Sequence, residues 1–491
     1  MTNQYGEFII ISPVEIGGYG EVYAALRKGD NKAYILKTIR NIKKDKKDNI
    51  DDLINIVIKS IQNEIDILEK LNEEPKNECV PTLYYYNKYN INKEINNNKA
   101  KPFYVIDYYS KDNLFVYLYH LSKCFYNGFS EKHAKIIFKK ILNGIQFCHN
   151  KKIWHFDIKP GNIVFDKNFE PVIIDFSVSE QFEDSNSEKI YKQKMCTDNY
   201  KSPELWMEIP QKISGIKCDI FSLGAVLFNL VTAQFGFRFK KNDYLYKEII
   251  NGKSNNYSNY WEMLSTKYKI DINALSDNFK KLYTEMIAFK PEDRPTIDKI
   301  LNSDWMKEIN NLSQKEYEAL EKEVKIELNK IYNEIRDEEN EINKVEELNF
   351  LGYETRSDRN NGKGIFTNKK LKPKKIPKER LNINHFVKIK GKLEETTFMN
   401  CLVEKIREYK KESFIQANKE SLKFDVIFEK EYIKEGEEEE EKEIYSCQIQ
   451  IELFEYEDGY YLEFLRKGGD VQEYYEYFLE IKKIIKKLIS N

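Results

Sequence analysis

The apolar positions of the first hundred residues alternate in twos, so Phe8 to Ile11, Val22 to Leu26, Ala33 to Ile39 and Phe103 to Tyr108 each read as a strand. One helix interrupts them. Ile54, Ile58, Ile61, Ile65 and Leu68 recur at intervals of three and four, with Glu64 beside the stripe. Ahead of that stripe, Lys43 to Asp52 is a charged insertion and reads as a solvated loop. From 114 to 306 the period turns helical, with Ser130 an expected N-cap before Ile136, Ile137, Ile141 and Ile145. Strands followed by helices predict a two-lobed α+β fold with a cleft between its lobes.

The remainder has its own patterns. Residues 313 to about 347 read as a long acidic helix, opened by a Ser313/Glu316 capping box with Leu312 stapled onto Tyr317. Tyr317, Leu320, Val324, Leu328, Ile331 and Ile335 form its stripe, which is short for a coiled coil and predicts packing against the same chain. Its glutamates also set it apart from basic calmodulin targets. Lys363 to Arg380, rich in Lys and Pro, reads as a disordered linker. Beyond about 384 the pattern becomes compact again. Phe398, Leu402, Val403 and Ile406 suggest a helix. Leu422 to Phe428, Cys447 to Leu453 and Tyr460 to Leu465 read as strands, and Val471 to Ile489 as a closing amphipathic helix. The Glu437 to Glu441 run falls in a hairpin loop.

Charge narrows the choice of partners. Lys and Arg number 79 against 81 Asp and Glu, which leaves no global field for nucleic acid or a membrane. Seven cysteines without a CxxC pair, and no apolar leader after Met1, predict free thiols in a reducing, cytoplasmic setting. Leu223 to Val231 is too short to span a bilayer and reads as a buried helix, so no transmembrane segment is expected. Neither a myristoyl nor a prenyl signal is present.

The chemistry concentrates in His155-Phe156-Asp157-Ile158-Lys159-Pro160-Gly161-Asn162 and in Asp175-Phe176-Ser177, which follows an apolar strand. A carboxylate, a cation, an amide and a second carboxylate are what an in-line phosphoryl transfer requires. Upstream, Glu15-Ile16-Gly17-Gly18-Tyr19-Gly20-Glu21-Val22 lies between two strands, where backbone N–H groups can close over phosphates. Lys37 ends the strand Tyr34-Ile35-Leu36, and Glu64 is placed to hold it.

In this order, together with Ser202-Pro203-Glu204, these motifs resemble the eukaryotic protein kinase family over about residues 6–306. The Asp-x-Lys-Pro-x-Asn form and Thr197 resemble the serine/threonine branch, in the calcium/calmodulin-dependent and AMP-activated group. The resemblance implies an N-lobe at 6–109, a C-lobe at 110–306, and the cofactors ATP and Mg²⁺. It makes Asp157 the base that orients the hydroxyl, and Lys159 the cation on the γ-phosphate. Lys37 with Glu64 would hold the other phosphates, and Asn162 and Asp175 the metal. Ile16, Gly17, Gly18, Gly20, Val22, Ile106, Asp107, Tyr109, Asn113 and Val164 would line the nucleotide site, with Ile106 the gatekeeper and Asp107 to Tyr109 the hinge. Glu204 would pair with Arg294, and Asp219 would anchor the catalytic loop.

Four departures qualify the resemblance. Glu15 replaces the first loop glycine, Ile35 an alanine, Ser177 a glycine, and Phe156 the arginine that receives an activation-loop phosphate. Gln193 stands where related kinases keep the phosphorylated threonine. Activity is therefore expected without activation-loop phosphorylation. Asn113, Gly161 and Asn229 replace the acidic residues of arginine-directed kinases, so weak or no dependence on upstream arginine is expected.

Leu465-Arg466-Lys467-Gly468-Gly469-Asp470 before the last helix resembles the kinase-associated domain of some AMP-activated-type kinases. The expected divisions are then an acidic helix at 307–349, a basic linker at 350–383 and a regulatory domain at 384–491, and the resemblance implies that this domain binds anionic lipid headgroups or, as an inhibitor, the kinase lobes. The expected protein is then a monomeric, cytoplasmic or peripherally membrane-bound serine/threonine kinase acting on protein substrates. The alternatives are a pseudokinase and a membrane-recruited scaffold.

Overall fold

The computed structural model describes residues 4–16, 20–30, 32–39, 50–88, 101–109, 112–124, 128–183, 188–191, 196–206, 211–234, 258–266, 270–341, 374–375, 385–390, 395–410, 413–417, 421–433, 442–456, 459–468 and 471–490. Two compact units result: 1–57 with 91–108 and 333–491, and 58–90 with 109–332.

The first unit opens with β1 (Gln4–Tyr5), β2 (Phe8–Ile16), β3 (Gly20–Arg27) and β4 (Ala33–Ile39). After helix α1 (Ile50–Leu71) and β5 (Leu83–Asn87), β6 (Phe103–Asp107) returns to pair with β4. Strand periodicity explains the two faces of this sheet. Phe8, Ala25, Tyr34, Leu36, Phe103 and Val105 form a core on one side, with Phe8 edge-on to Tyr34 at 5.3 Å. Ile35 and Lys37 alternate with the core residues of β4 and so stand on the other side.

The second unit is mainly helical. It contains α2 (Leu114–Cys124), α3 (Glu131–Asn150), α4 (Gly215–Thr232), α5 (Ser258–Thr266), α6 (Asp277–Met286), α7 (Ile297–Leu301), α8 (Asp304–Asn310) and most of α9 (Gln314–Glu341). Short pairs hold its loops: β7 (Ile153–Trp154), β8 (Ile163–Phe165) with β9 (Pro171–Ile173), β10 (Glu180–Gln181) with β7, and β11 (Lys189–Tyr191) with β12 (Gln211–Ile213). Ser130 caps α3 as expected, its Oγ accepting the His133 N–H at 3.2 Å. Helix α4 is buried on all sides, which explains why its sequence lacks an amphipathic period. It is long and apolar enough to cross a membrane by composition, yet 89% of it is buried inside the protein.

Helix α9 begins with the expected capping box: the Ser313 N–H donates to Glu316 Oε2 at 2.8 Å and the Ser313 hydroxyl at 2.6 Å. Leu320, Val324, Leu328 and Ile331 are buried. Its acidic edge meets α3, with Lys140 bonding Glu321 at 2.8 Å and His133 bonding Glu327 at 2.5 Å. Desolvation tends to lower the Lys140 amine, but Glu170 and Glu321 outweigh it and hold the amine above its ordinary value.

The end of the chain rejoins the first unit. It comprises β13 (Lys374–Lys375), β14 (His385–Lys390), α10 (Glu395–Tyr409), β15 (Phe414–Ala417), β16 (Lys423–Ile433), β17 (Lys442–Tyr456), β18 (Gly459–Gly468) and α11 (Val471–Ser490). The sheet order is β14-β18-β17-β16-β15, with β13 parallel to β17.

Three sequence expectations need correction. The charged segment 43–52 is not loop throughout, because α1 already starts at Ile50; Asp51 and Asp52 make its first turn read as part of the charged run. The basic linker contributes a strand at 374–375, whose backbone pairs with β17 at Phe454 and Glu455. Residues 307–349 are not one helix, since α8 ends at Asn310 and Ser313 restarts the chain as a cap. Strands β14 and β15 were not foreseen: β15 has only four residues, whereas in β14 the alternation of Val387 and Ile389 with Lys388 and Lys390 was an available signal. The Glu437 to Glu441 run lies outside the described residues.

Candidate active site

Asp219, on the buried helix α4, organises the loop after β7. Its carboxylate accepts the N–H groups of His155 at 2.9 Å and Phe156 at 2.8 Å, and bonds His149 Nε2 at 2.8 Å. Phe156 has φ of +66°, a conformation costly for a bulky residue and sustained here by those paired acceptors. The turn aims Asp157 back across the loop. Asp157 accepts Lys159 Nζ at 2.8 Å, Asn162 Nδ2 at 3.1 Å and the Thr197 N–H at 2.8 Å. Lys159 also donates to Thr197 Oγ1 at 2.6 Å, so carboxylate, ammonium and hydroxyl fix one another. His155 Nδ1 accepts the Asp157 N–H at 3.2 Å, which leaves the ring proton on Nε2 to reach the Ile174 carbonyl at 3.2 Å.

That last bond leads to Asp175. The Ile174 N–H donates to the Asn162 carbonyl at 2.9 Å, bringing the backbones of the two predicted metal ligands alongside each other. Asp175 has φ of +64°, and the buried Phe176 ring lies 4.9 Å from His155. Helix α1 fastens this segment by side chains. Glu64 Oε1 accepts the Phe176 N–H at 3.0 Å, Ser60 donates to the Ser177 carbonyl at 3.1 Å, and Asn63 to the Ser179 carbonyl at 2.9 Å.

On the strand side, register decides which residues share a face. Glu15 pairs with Val22, Val22 with Lys37, and Ile35 with Ile106, so these side chains look the same way. A Cβ on Gly20 would meet the Thr38 carbonyl at 3.2 Å and Lys37 Cε at 3.9 Å, so this glycine lets the turn lie close over the lysine. Ile16 pairs through its backbone with Glu21, Asp107 accepts Lys32 at 3.1 Å, and Asn113 bridges Val164. Gly17 and Gly18 lie outside the described residues. Lys37 belongs to the first unit, whereas Glu64 and Tyr109 belong to the second.

A protein kinase domain model matches residues 10–306. The chain belongs to the protein kinase family. Among curated proteins it is 30% identical over 178 residues to the probable serine/threonine-protein kinase MARK-A of Dictyostelium discoideum, covering 36% of this chain and 15% of that one. It is 26% identical over 308 residues to a carbon catabolite-derepressing protein kinase of Candida tropicalis, covering 62% and 42%. It is 30% identical over 192 residues to calcium-dependent protein kinase 5 of Plasmodium falciparum, covering 38% and 31%. The matches therefore span well under two thirds of these relatives.

Within this kinase frame the segment after Asp175 is unusual. Phe156 is 3% exposed in an apolar cluster with Trp154, Phe182, Leu205, Ile213 and Cys218. Trp154 stacks on Phe182 at 5.0 Å and meets Phe156 edge-on at 5.7 Å. Beside them Glu180, opposite Trp154 in the β10–β7 pair, already binds Lys189 at 3.1 Å. A phosphate directed here would meet aromatic rings and a carboxylate, with the ammonium groups of Lys189 and Lys152 over the Trp154 and Phe182 rings at 5.6 Å. Sequence reasoning found Phe156 but missed Trp154, Phe182 and Glu180; the apolar, every-second-residue placement of Trp154 and Phe156 was the available signal.

The structural pairs stand as expected. Arg294, buried, forks onto Glu204 at 2.7 and 2.8 Å and donates to the carbonyls of Ala288, Lys217 and Phe289. Burial tends to raise the Glu204 carboxyl, but Arg294 outweighs it and holds the group below the usual carboxylate range. Asn229 is buried with its amide engaged, accepting the Tyr200 hydroxyl at 2.9 Å and donating to the Gln234 carbonyl at 2.6 Å.

Proposed function

We propose that the chain is a serine/threonine protein kinase that transfers the γ-phosphate of ATP to protein hydroxyl groups, with its kinase domain at 6–306 and a regulatory domain at 384–491. The observation that carries this reading is the Asp157–Lys159–Thr197 assembly, closed by Asn162. Asp157 orients the attacking hydroxyl and Lys159 lies beside it to meet the phosphate, while Thr197 keeps both in register. Asn162 spends its amide nitrogen on Asp157, so its carbonyl oxygen is the atom suited to a hard cation, with Asp175 as the second oxygen ligand. Among the described residues no group of three or more His, Cys, Asp or Glu could hold a metal. Two protein ligands, completed by phosphate oxygens and water, fit Mg²⁺, which when bound would offset phosphate charge. Lys37 is proposed to receive the α- and β-phosphates, with Glu64 its proposed holder. The nucleotide would lie against Gly17, Gly18, Gly20, Val22, Asn113 and Val164, with Ile106 and the backbone of Asp107 to Tyr109 facing adenine; Ile16, out of register with Val22, is left out of this lining.

The Phe156 cluster supports activity without activation-loop phosphorylation, since apolar packing replaces an ionic clasp. The buried amide of Asn229 supports indifference to arginine upstream of the target hydroxyl. Anionic lipid remains the proposed external ligand of the C-terminal domain, testable by liposome sedimentation with and without acidic lipid. The experiment for the main reading is radiolabelled phosphate transfer to Ser/Thr and Tyr acceptor peptides. Asp157→Asn should lower Ser/Thr transfer by at least about 10²-fold. Undiminished transfer by that variant would overturn the assignment, and transfer confined to tyrosine would overturn the specificity.

A further inference from the structure

Arg466, near the end of β18, forms an ion pair with Glu15, near the end of β2. Strand β18 packs against β2, so the C-terminal sheet and the glycine-rich strand meet within one compact unit. Glu15 is an acidic residue two positions before Gly17, and by register it shares a face with Val22 and Lys37. A carboxylate on this face repels the polyphosphate that Lys37 would attract. Glu21 has another partner, accepting the Tyr23 hydroxyl at 2.7 Å. Lys467, next along β18, donates to Gln450 at 3.3 Å. Among the described residues, Arg466 is thus the residue of the C-terminal sheet that pairs with Glu15.

We infer that Arg466 is a positioning residue for nucleotide binding: from the C-terminal domain it neutralises Glu15 and makes the glycine-rich strand acceptable to an anionic nucleotide. The inference rests on the kinase reading above and goes beyond it by giving the C-terminal domain a supporting role in nucleotide affinity. The pair itself adds little docking energy, because Glu15 and Arg466 side chains are 41% and 19% exposed. Strand packing holds the domain, and the arginine sets the local charge.

The test uses the full chain and two readouts, the dissociation constant for Mg-ADP and the split between KM for ATP and kcat. Arg466→Glu should weaken Mg-ADP and raise KM for ATP by about tenfold with kcat within about twofold, the signature of lost ground-state binding. Arg466→Lys should restore affinity. Glu15→Gln combined with Arg466→Glu should bind nucleotide more tightly than Arg466→Glu alone. Equal affinity of Arg466→Glu and wild type overturns the inference while leaving the kinase reading standing. So does a double variant as weak as Arg466→Glu, which would mean that the arginine acts through folding. An increase in kcat on Arg466→Glu also overturns it, since the contact would then be a restraint. Wild type that binds no nucleotide overturns both readings.

Discussion

The catalytic loop and the glycine-rich strand solve the same problem, holding charge in place, in opposite ways. The loop from His155 to Asn162 is fixed from within its own unit. Asp219, buried beneath it, takes two backbone N–H groups, and Asp157, Lys159, Asn162 and Thr197 satisfy one another. The strand around Glu15 instead carries an unusual acidic residue and meets an arginine more than four hundred positions away in sequence. Local hydrogen bonding makes geometry robust, whereas a distant partner makes affinity adjustable. Chemistry and its supply of nucleotide are therefore expected to respond to different mutations.

The comparison is tested hardest at its buried end. Arg294→Met would leave Glu204 buried without its cation, and stability should fall by about 3–5 kcal/mol in denaturant unfolding. The same pair gives a pH signature. Because the Glu204 carboxyl is depressed in the folded state, its stabilisation is present above the unfolded carboxylate value and fades as pH falls through the folded value. Wild type should therefore lose more stability on acidification than Glu204→Gln. Asp219→Ala should cost about 3 kcal/mol and about 10²-fold in turnover, because two N–H groups lose a charged acceptor and Asp157 loses its aim. Nucleotide affinity in that variant should stay within about threefold, which keeps the two regions separate.

The smallest effect concerns the α3–α9 contact. The hydrogen bond that the His133 ring donates to the Glu327 carboxylate holds the imidazole above its ordinary value, with Glu323 adding to it from 3.8 Å. Its stabilisation is full below the unfolded histidine value and is lost as pH rises through the folded one. His133→Ala should remove that pH dependence at a cost of about 1 kcal/mol or less. Titration of the His133 ring by NMR, giving an ordinary value, would contradict this.

Much of this was legible in residue order. Alternation in Phe8 to Ile39 and the three-four spacing from Ile54 to Leu68 mark their elements because each has one buried face. The residues proposed for catalysis stood out in sequence because the chemistry proposed for them allows few substitutes, and the Ser313/Glu316 box was legible because capping is a local interaction. The start of α1 at Ile50 was missed because Asp51 and Asp52 join it to the charged run before it, although Ile50 stands four residues ahead of Ile54. The Glu15–Arg466 pair was hidden for a different reason: charges far apart in sequence leave no periodicity to read. Glu180 and Phe182 gained meaning only when the β10–β7 pairing set them beside Trp154.

In the proposed kinase, apolar packing around Phe156, and no phosphate, holds the catalytic assembly ready. The most direct measurement of this is the phosphate-transfer rate of the full chain before and after exhaustive phosphatase treatment, with mass spectrometry covering residues 183–197. The rate is predicted to remain within about twofold. A fall of tenfold or more, traced to a phosphorylated residue in that segment, would contradict it.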